Sequence, residues 1–380
     1  MKKIILRILI VVLALIAAAA ICFFLIPTEA RVTAFRAPES QGYTGSFAEN
    51  SALAEPGEIS LDGFRRPETV LYRDGALYSS VHGQLLRTAE DGSGTELLYD
   101  TQGGETLGFD FDADGNIIFC DVRAGGTTPG IFKADLSGEQ VTVTPLCTEL
   151  GGRPLRCPDA LAVAADGIIY FSDATEFSAV DHGSADMAFQ YEAYYHSSEG
   201  RVCAFDPATG EVWVVADGFS GANGIALSFD EKYLYVNETM EYCIWRIPVG
   251  TRNGSKGNGA ELFLSNLPGC VDNLTRGLDG RYWVGLVSER SPDWDRMLGS
   301  TFLRTVLLRC SKPAEVVMPE KGTAAAFAFD DSGRIVAFLM ARDSSHHHIT
   351  GVCETGTRLY LHSNDLTGVI AYKDKQGILN

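Results

Sequence analysis

The sequence predicts an all-β fold, a six-bladed β-propeller preceded by a single N-terminal transmembrane helix. Three observations predict it. A strand–turn–strand unit recurs down the chain, 40 glycines fall at turn positions rather than in one tract, and one long apolar run lies near the N-terminus. Apolar residues make up 46% and charged residues 21%, the profile of a packed globular chain rather than a disordered one.

The unit first appears as TVLYRDGALY after Glu68, then as LGFDFDADGNIIFCD from Leu107 and DALAVAADGIIYFSD from Asp159. It returns as NGIALSFDEKYLYVNE from Asn223, NLTRGLDGRYWVGL from Asn273 and, more weakly, TGVCETGTRLYLHS from Thr350. Each joins two alternating apolar runs through a turn of the Asp-Gly type, the signature of a hairpin. The longer intervals hold further strand pairs, GRVCAFDPATGEVWVVADG and TAAAFAFDDSGRIVAFL among them. A period of roughly 40–50 residues with two hairpins per period is that of a propeller blade. Residues 324–338 read as the outer pair of the fifth blade; as a blade of their own they would make seven. A parallel α/β fold is excluded by the near absence of amphipathic helices. The one helical candidate starts at Ala185 and carries Tyr191, Tyr194 and Tyr195 before His196, as part of a lid or as local packing.

Lys2, Lys3 and Arg7 precede an uninterrupted apolar run over residues 8–26, which Pro27 ends. At ~1.5 Å per residue the run spans ~28 Å, close to the hydrocarbon thickness of a bilayer. The flanking cations would stay cytoplasmic, so everything after Pro27 is expected outside the cytoplasm. A cleaved signal peptide is the alternative, although its apolar core usually runs only ~7–15 residues. Residues 1–27 are therefore read as a signal anchor, 28–58 as a stalk and 59–380 as the propeller.

A formal net charge of −18 excludes nucleic acid as a partner, because phosphates demand a basic surface. Eight of the nine cysteines follow the anchor without a CxxC zinc spacing. Those in apolar, strand-like runs read as buried thiols.

Radial symmetry turns the repeat into a site. In each blade the first strand lines the central channel, and six or seven residues at ~3.3 Å each carry it ~20–23 Å from one rim to the turn at the other. The residues that open these strands therefore meet at one channel mouth: Glu68, Leu107, Asp159, Asn223, Asp272 with Asn273, and Thr350. Acidic and amide residues are depleted from strands, so β-propensity does not explain their recurrence. For any one of them, bonding nearby backbone at a turn is an equal explanation. In matching register, however, three carboxylates without a cation would repel one another. With one, they and the amides form an all-oxygen shell without imidazole or thiolate. Such a shell selects a hard ion and suits the roughly six to eight ligands of calcium.

The stretches RRPETV, PDALAVAADGIIYFSD, SGANGIALSFDEKYLYVNET and NLPGCVDNLTRGLDGRYWVG carry a resemblance to the strictosidine synthase-like family, over about residues 59–375. That family is related to paraoxonases and to the gluconolactonase (SMP-30) family, and its membrane-anchored members share the plan of one helix followed by a propeller. The resemblance implies that Glu68, Asp159, Asn223, Asp272 and Asn273 are ligands of a catalytic Ca2+. Asp159 stands where an asparagine is usual, which adds a negative charge and keeps an oxygen ligand. Paraoxonase-like enzymes place a histidine where this chain has Leu107, and the alkaloid-forming synthases use a glutamate near Thr350. Glu354 lies four residues on, ~13 Å toward the opposite rim. Amine–aldehyde condensation and histidine-base lactone hydrolysis thus each lack their key residue.

Two functions remain, and fold alone does not choose between them. The first is a calcium-dependent hydrolase of lactones or esters, in which the ion would polarise a carbonyl and Asp272 would take a proton from water. His348, which with His346 and His347 immediately precedes the last inner strand, would act as base or shuttle unless the three form only a solvated loop. The second is a non-catalytic extracytoplasmic propeller that binds another protein and holds calcium as a structural plug. Partners under the first reading are a small ester or lactone and, through the N-terminal helix, the lipid bilayer.

Overall fold

Two-residue loops set the first sheet. Arg73 pairs with Ala76 and Val81 with Gln84, which leaves Asp74-Gly75 and His82-Gly83 as the loops. All four residues have positive φ (49°, 80°, 37° and 82°), the left-handed pair of a type I′ turn, whose twist matches the flanking strands. In the computed structural model, which describes residues 2–314, 319–364 and 367–379, these turns help join Thr69–Arg73, Ala76–Val81, Gln84–Ala89 and Thr95–Asp100 into one antiparallel sheet.

The same meander recurs as a second sheet of Thr106–Phe111, Ile117–Ala124, Thr128–Asp135 and Thr142–Cys147. It recurs again as Gly269–Arg276, Tyr282–Glu289, Gly322–Phe329 and Ile335–Ser344, so the strands around residue 330 complete a sheet already begun. A further four-stranded sheet closes the ring: Ile349–Glu354, Arg358–Ser363 and Val369–Asp374 take Gly57–Ser60 as their fourth strand, with Gly57 opposite Tyr372 and Ser60 opposite Val369. Between the second and third of these lies a nine-stranded sheet. One half is Pro158–Val163, Ile169–Asp173, Gly200–Asp206 and Glu211–Phe219; the other is Ala222–Leu227, Tyr233–Glu238, Cys243–Pro248 and Gly259–Leu264. Short strand Gly254–Lys256 joins the halves by parallel pairing to each. The chain is an all-β, propeller-like fold with one N-terminal apolar helix.

The innermost strands are wedged between neighbouring sheets, so Ala222–Leu227 and Ile349–Glu354 are buried along their whole length. Between sheets the core is aromatic. Tyr282 stacks on Phe329 (centroids 5.2 Å) and leans on Tyr235 (4.8 Å), and Asp331 Oδ1 accepts from both hydroxyls at 2.8 and 3.0 Å. Burying side chains of this size is worth roughly 1.5–3 kcal/mol each, provided the polar tip keeps a partner.

Helix α1 (Lys2–Leu25) is exposed from Ile4 to Cys22 and is long and apolar enough to cross a membrane. Of residues 28–58, expected as a stalk, Gly57 and Glu58 begin a strand and the rest lie along the sheets: Thr33 N donates to Tyr195 O at 2.9 Å, Phe47 meets Phe327 edge-on, and Leu53 is buried. Helix α3 (Ala185–Tyr195) is the expected one, and a short helix not expected, α2 (Ala179–His182), precedes it, with Ser184 and Ser178 as their N-caps. Helices α4 (Pro292–Leu298) and α5 (Thr301–Cys310), capped by Ser291 and Ser300, were not expected. Arg304 on α5, 0% exposed, donates to the carbonyls of Tyr194, Leu298 and Thr33, tying both insertions to the N-terminal segment.

Candidate functional site

A bulge opens almost every inner strand at the position the repeat singles out. Pairing is regular until the register shifts between Thr106 and Phe109, Pro158 and Leu161, Ala222 and Ile225, Val271 and Leu274, and Ile349 and Gly351. Leu107, Asp159, Asn223, Asp272 with Asn273, and Thr350 fall inside those intervals. A bulge frees its residues from the ladder and re-aims their side chains. Glycine beside the bulge lets strands approach: a Cβ on Gly224 would lie 2.2 Å from Leu274 N and 2.4 Å from Asp272 O. Hydrogen bonds then cross between sheets. Thr350 Oγ1 donates to Glu68 O at 2.7 Å, Asn273 Nδ2 to Glu68 O at 3.0 Å and to Glu68 Oε1 at 3.1 Å, and Asn237 Nδ2 to Asp272 O at 2.5 Å.

Glu68, Asp159, Asn223 and Asp272 line one cavity of ≈ 770 Å³, together with Leu107 and His348. Asn273 lies beneath them, buried, and lines a second cavity of ≈ 300 Å³ with Asp110 and Arg276. Its amide nitrogen is committed to Glu68, which leaves Oδ1 as the atom it can offer a cation.

Glu68, Asp159 and Asp272 are each at most 7% exposed, and among the described residues no ion pair joins any of them to a cationic side chain. Burial first, and Asp272 second, hold the Glu68 carboxyl well above the usual carboxylate range. Burial and then Glu68 do the same to Asp159, and burial and then Asp159 to Asp272, with a hydrogen bond from Asn223 pulling Asp272 the other way. Glu68 Oε2 and Asn223 Oδ1 are buried with no hydrogen-bond partner. Mutually repelling buried carboxylates and orphaned buried oxygens are what a bound hard cation would relieve. The donor set fits one.

The three histidines separate. His346 Nε2 lies 2.8 Å from Glu58 Oε1 and His347 Nε2 2.8 Å from Pro319 O, both away from the cavity, whereas His348 lines it in a left-handed conformation (φ 53°). Glu354 lies elsewhere: Arg281, Lys375 and the Trp283 indole hold it at 2.6, 2.6 and 2.7 Å. Of the aromatic insertion, Tyr191 and Tyr195 pack against Phe177, while Tyr194 reaches the cavity beside Trp294 (4.9 Å). His196 meets Glu241 at 3.2 Å and stacks on Phe35.

Several residues at the cavity were not singled out from the sequence. Arg66 pairs with Asp186 of α3 at 2.8 Å, and Glu105 accepts from Ala185 N at the start of α3 with both oxygens at 3.1 Å. Burial raises the Glu105 pKa to about 7. RRPETV held a signal for Arg66, but nothing local in the sequence tells that α3 folds over it. Another acidic group, Glu238, Glu241 and Cys243, is close enough to chelate, yet Lys256 Nζ sits 2.7 Å from both carboxylates and already offsets one of their two charges.

Residues 67–296, well over half of the chain, match the SMP-30/gluconolactonase/LRE-like region, and residues 45–88 match a strictosidine synthase-like N-terminal region. The chain is 28% identical over 312 residues to strictosidine synthase-like protein 4 of Arabidopsis thaliana, covering 80% of this chain and 78% of the relative. It is 24% identical over 365 residues to the adipocyte plasma membrane-associated protein of Salmo salar, covering 86% and 82%. A solved gluconolactonase from Xanthomonas campestris shares the fold with a TM-score of 0.56 at 19% identity, over 92% of this chain and 99% of that one. Regucalcin from Agrobacterium tumefaciens, described as a calcium-binding protein, gives 0.52 at 13% identity, over 85% and 94%. Since the family match runs from the segment holding Glu68 past Asn273, the chain belongs to the SMP-30/gluconolactonase/LRE-like family.

Proposed function

We propose that this chain is a membrane-anchored, calcium-dependent hydrolase of esters or lactones, working at the mouth of a six-bladed propeller. The blade count takes the nine-stranded sheet as two blades bridged by Gly254–Lys256. Residues 1–27 form the anchor, with the N-terminus cytoplasmic and the propeller outside, on the strength of the Lys2, Lys3 and Arg7 flank and a membrane-associated relative. The observation that carries the function is the trio of buried carboxylates, Glu68, Asp159 and Asp272, gathered on one cavity, none of them in an ion pair with a cationic side chain among the described residues, and with Arg66 engaged by Asp186. Family membership and a relative's description as calcium-binding support the same reading.

Glu68, Asp159, Asn223 and Asp272 would hold the ion, with Asn273 contributing Oδ1 and fixing the rotamer of Glu68 through Nδ2. When bound there, Ca2+ supplies Lewis-acid polarisation of a carbonyl. Asp272 accepts a proton from water at a carboxylate oxygen, and His348, on the same cavity, relays it outward. Trp294, Tyr194 and Leu107 wall the cavity and exclude water from the acyl portion of the substrate.

The test is hydrolysis by the full chain, in detergent, of aryl-ester and lactone panels with calcium and with chelator. Turnover that calcium restores after chelation supports the reading. Measured calcium binding with no turnover on any substrate would replace it with the protein-binding propeller, and absence of calcium binding would remove the site.

A further inference from the structure

Helix α5 carries an apolar edge that the rest of the chain leaves uncovered. Phe302, Leu303 and Leu307 are 61%, 53% and 38% exposed, and Val306 and Cys310 fall in the same arc of about 140° at ~100° per residue. No charged residue lies in that arc. The opposite side of the helix is occupied, with Arg304 buried and Leu308 packed against the core beneath α3.

The edge is continuous with the end of α1. Arg309 of α5 donates from Nε to Ile26 O at 2.9 Å and from Nη2 to Phe24 O at 3.0 Å, satisfying carbonyls that a helix C-terminus leaves open. Phe24 stacks on Phe302 with centroids 5.7 Å apart. The apolar span of α1, Ile4–Leu25, is ~33 Å long at 1.5 Å per residue, enough to reach from one bilayer boundary to the other. Whatever surrounds the last turn of α1 therefore also meets the apolar edge of α5. Arg309 and the exposed Lys312 flank that edge at the height where lipid phosphates would lie.

We propose that α5 is an interfacial membrane helix: its edge of Phe302, Leu303 and Leu307 docks into the leaflet at which α1 ends. Resting on the anchor reading for α1, this places α4, which supplies Trp294 and Leu298 to the cavity wall, at the membrane surface. The occupant is lipid rather than a second copy of the chain because the edge continues directly into a helix whose apolar side chains lie open all round.

The experiment uses the full chain with Cys22→Ser, Cys270→Ser and Cys310→Ser, reconstituted in vesicles of phosphatidylcholine and phosphatidylglycerol. A polarity-sensitive fluorophore is attached singly at Leu303→Cys on α5, Leu13→Cys in α1, and Asp279→Cys in an exposed turn away from the cavity. Phosphatidylcholine bearing a nitroxide high on its acyl chain should quench the probes at 303 and 13, with the probe at 279 unquenched. Quenching at 13 with a probe at 303 that behaves like the one at 279 overturns the docking while leaving the anchor in place. No quenching at either 13 or 303 overturns both. A blue shift at 303 without lipid quenching would show a protein partner, such as a second copy, and would also overturn the proposal.

Discussion

Glu354→Gln separates the two ends of the channel. The Glu354 side chain is 0% exposed and accepts from Arg281, Lys375, Trp283 Nε1 and Leu278 N. Burial alone would raise its pKa, but the hydrogen bonds from Arg281 and Lys375 outweigh it and lower the carboxyl from 4.5 to about 2. A depressed carboxylate pKa stabilises the fold above the unfolded value, and that stability is lost as pH falls from about 4.5 through about 2. The difference, at 1.36 kcal/mol per pH unit, is worth about 3 kcal/mol at pH 7. Glutamine keeps an acceptor for the indole and removes the charge, so the variant should lose about that much in urea melts of the detergent-solubilised chain at pH 7. The gap should narrow below pH 4.5 and close near pH 2. Because Glu354 sits ~13 Å along the strand from Thr350, turnover of any substrate the wild type hydrolyses should be unchanged at 25 °C. Equal midpoints at pH 7, or a gap that persists undiminished near pH 2, would refute the ion-pair arithmetic. Loss of turnover with folding intact would refute the placement of the chemistry.

Chelation of verified calcium-loaded protein should lower the melting temperature, since an ion at a hundredfold its Kd stabilises the folded chain by about 2.7 kcal/mol. Scanning calorimetry checks it, and Glu68→Gln should shrink the response. Asp272→Asn should retain metal, measured by elemental analysis, while hydrolysis falls by roughly 10²–10⁴-fold. His348→Gln should slow turnover where His346→Gln and His347→Gln, whose rings face Glu58 and Pro319 O, do not. Glu105 has its folded pKa raised to about 7, so its favourable contribution is full below pH 4.5 and disappears as pH rises through 7. Glu105→Gln should therefore match the wild type near pH 4 and exceed its stability at pH 8 by up to about 3 kcal/mol; a variant less stable at pH 8 contradicts the sign.

The hairpins were legible because Asp-Gly turns between alternating runs have one geometric consequence, as Asp74-Gly75 illustrates. The mouth residues stood out for a different reason: carboxylates and amides at strand starts have no local justification, so their recurrence pointed to a shared environment. What the residue string hid was the bulge at each strand start, which depends on pairing with a partner strand. Alternation alone sends Asp272 and Asn273 to opposite faces, and the bulge between Val271 and Leu274 changes their relation to the channel. Helices α4 and α5 escaped notice because they run only 7 and 10 residues, too short for a periodic pattern to dominate. The packing of residues 28–56 was hidden by composition: a stretch rich in Pro, Gly and Ser reads as linker, and a few scattered apolar residues, Val32, Phe35, Tyr43, Phe47 and Leu53, hinted that it is covered.

The site is assembled from two sources that obey different constraints. The oxygen groups proposed as ligands come from inner strands locked on both sides by neighbouring sheets, where a displaced backbone would break hydrogen bonds such as Thr350 to Glu68 O and Asn237 to Asp272 O. Its walls come from α3 and α4, insertions that pack on the ring through the Ala188, Tyr191 and Tyr195 cluster and through polar contacts such as Arg66–Asp186, Ser220–Glu192 and Tyr242–Asp295. Arg304 adds a restraint that joins the two walls to each other. One guanidinium, buried enough that desolvation lowers its pKa to about 10, holds carbonyls from α3, from α4 and from the segment that leads back to α1. Removing a buried charge's partners or the charge itself typically costs several kcal/mol, so the three elements move together or not at all. Under the proposed function, substrate preference can then vary through the insertions without disturbing the carboxylates on the inner strands. The same coupling makes the position of the wall depend on where the segment that follows α1 is held.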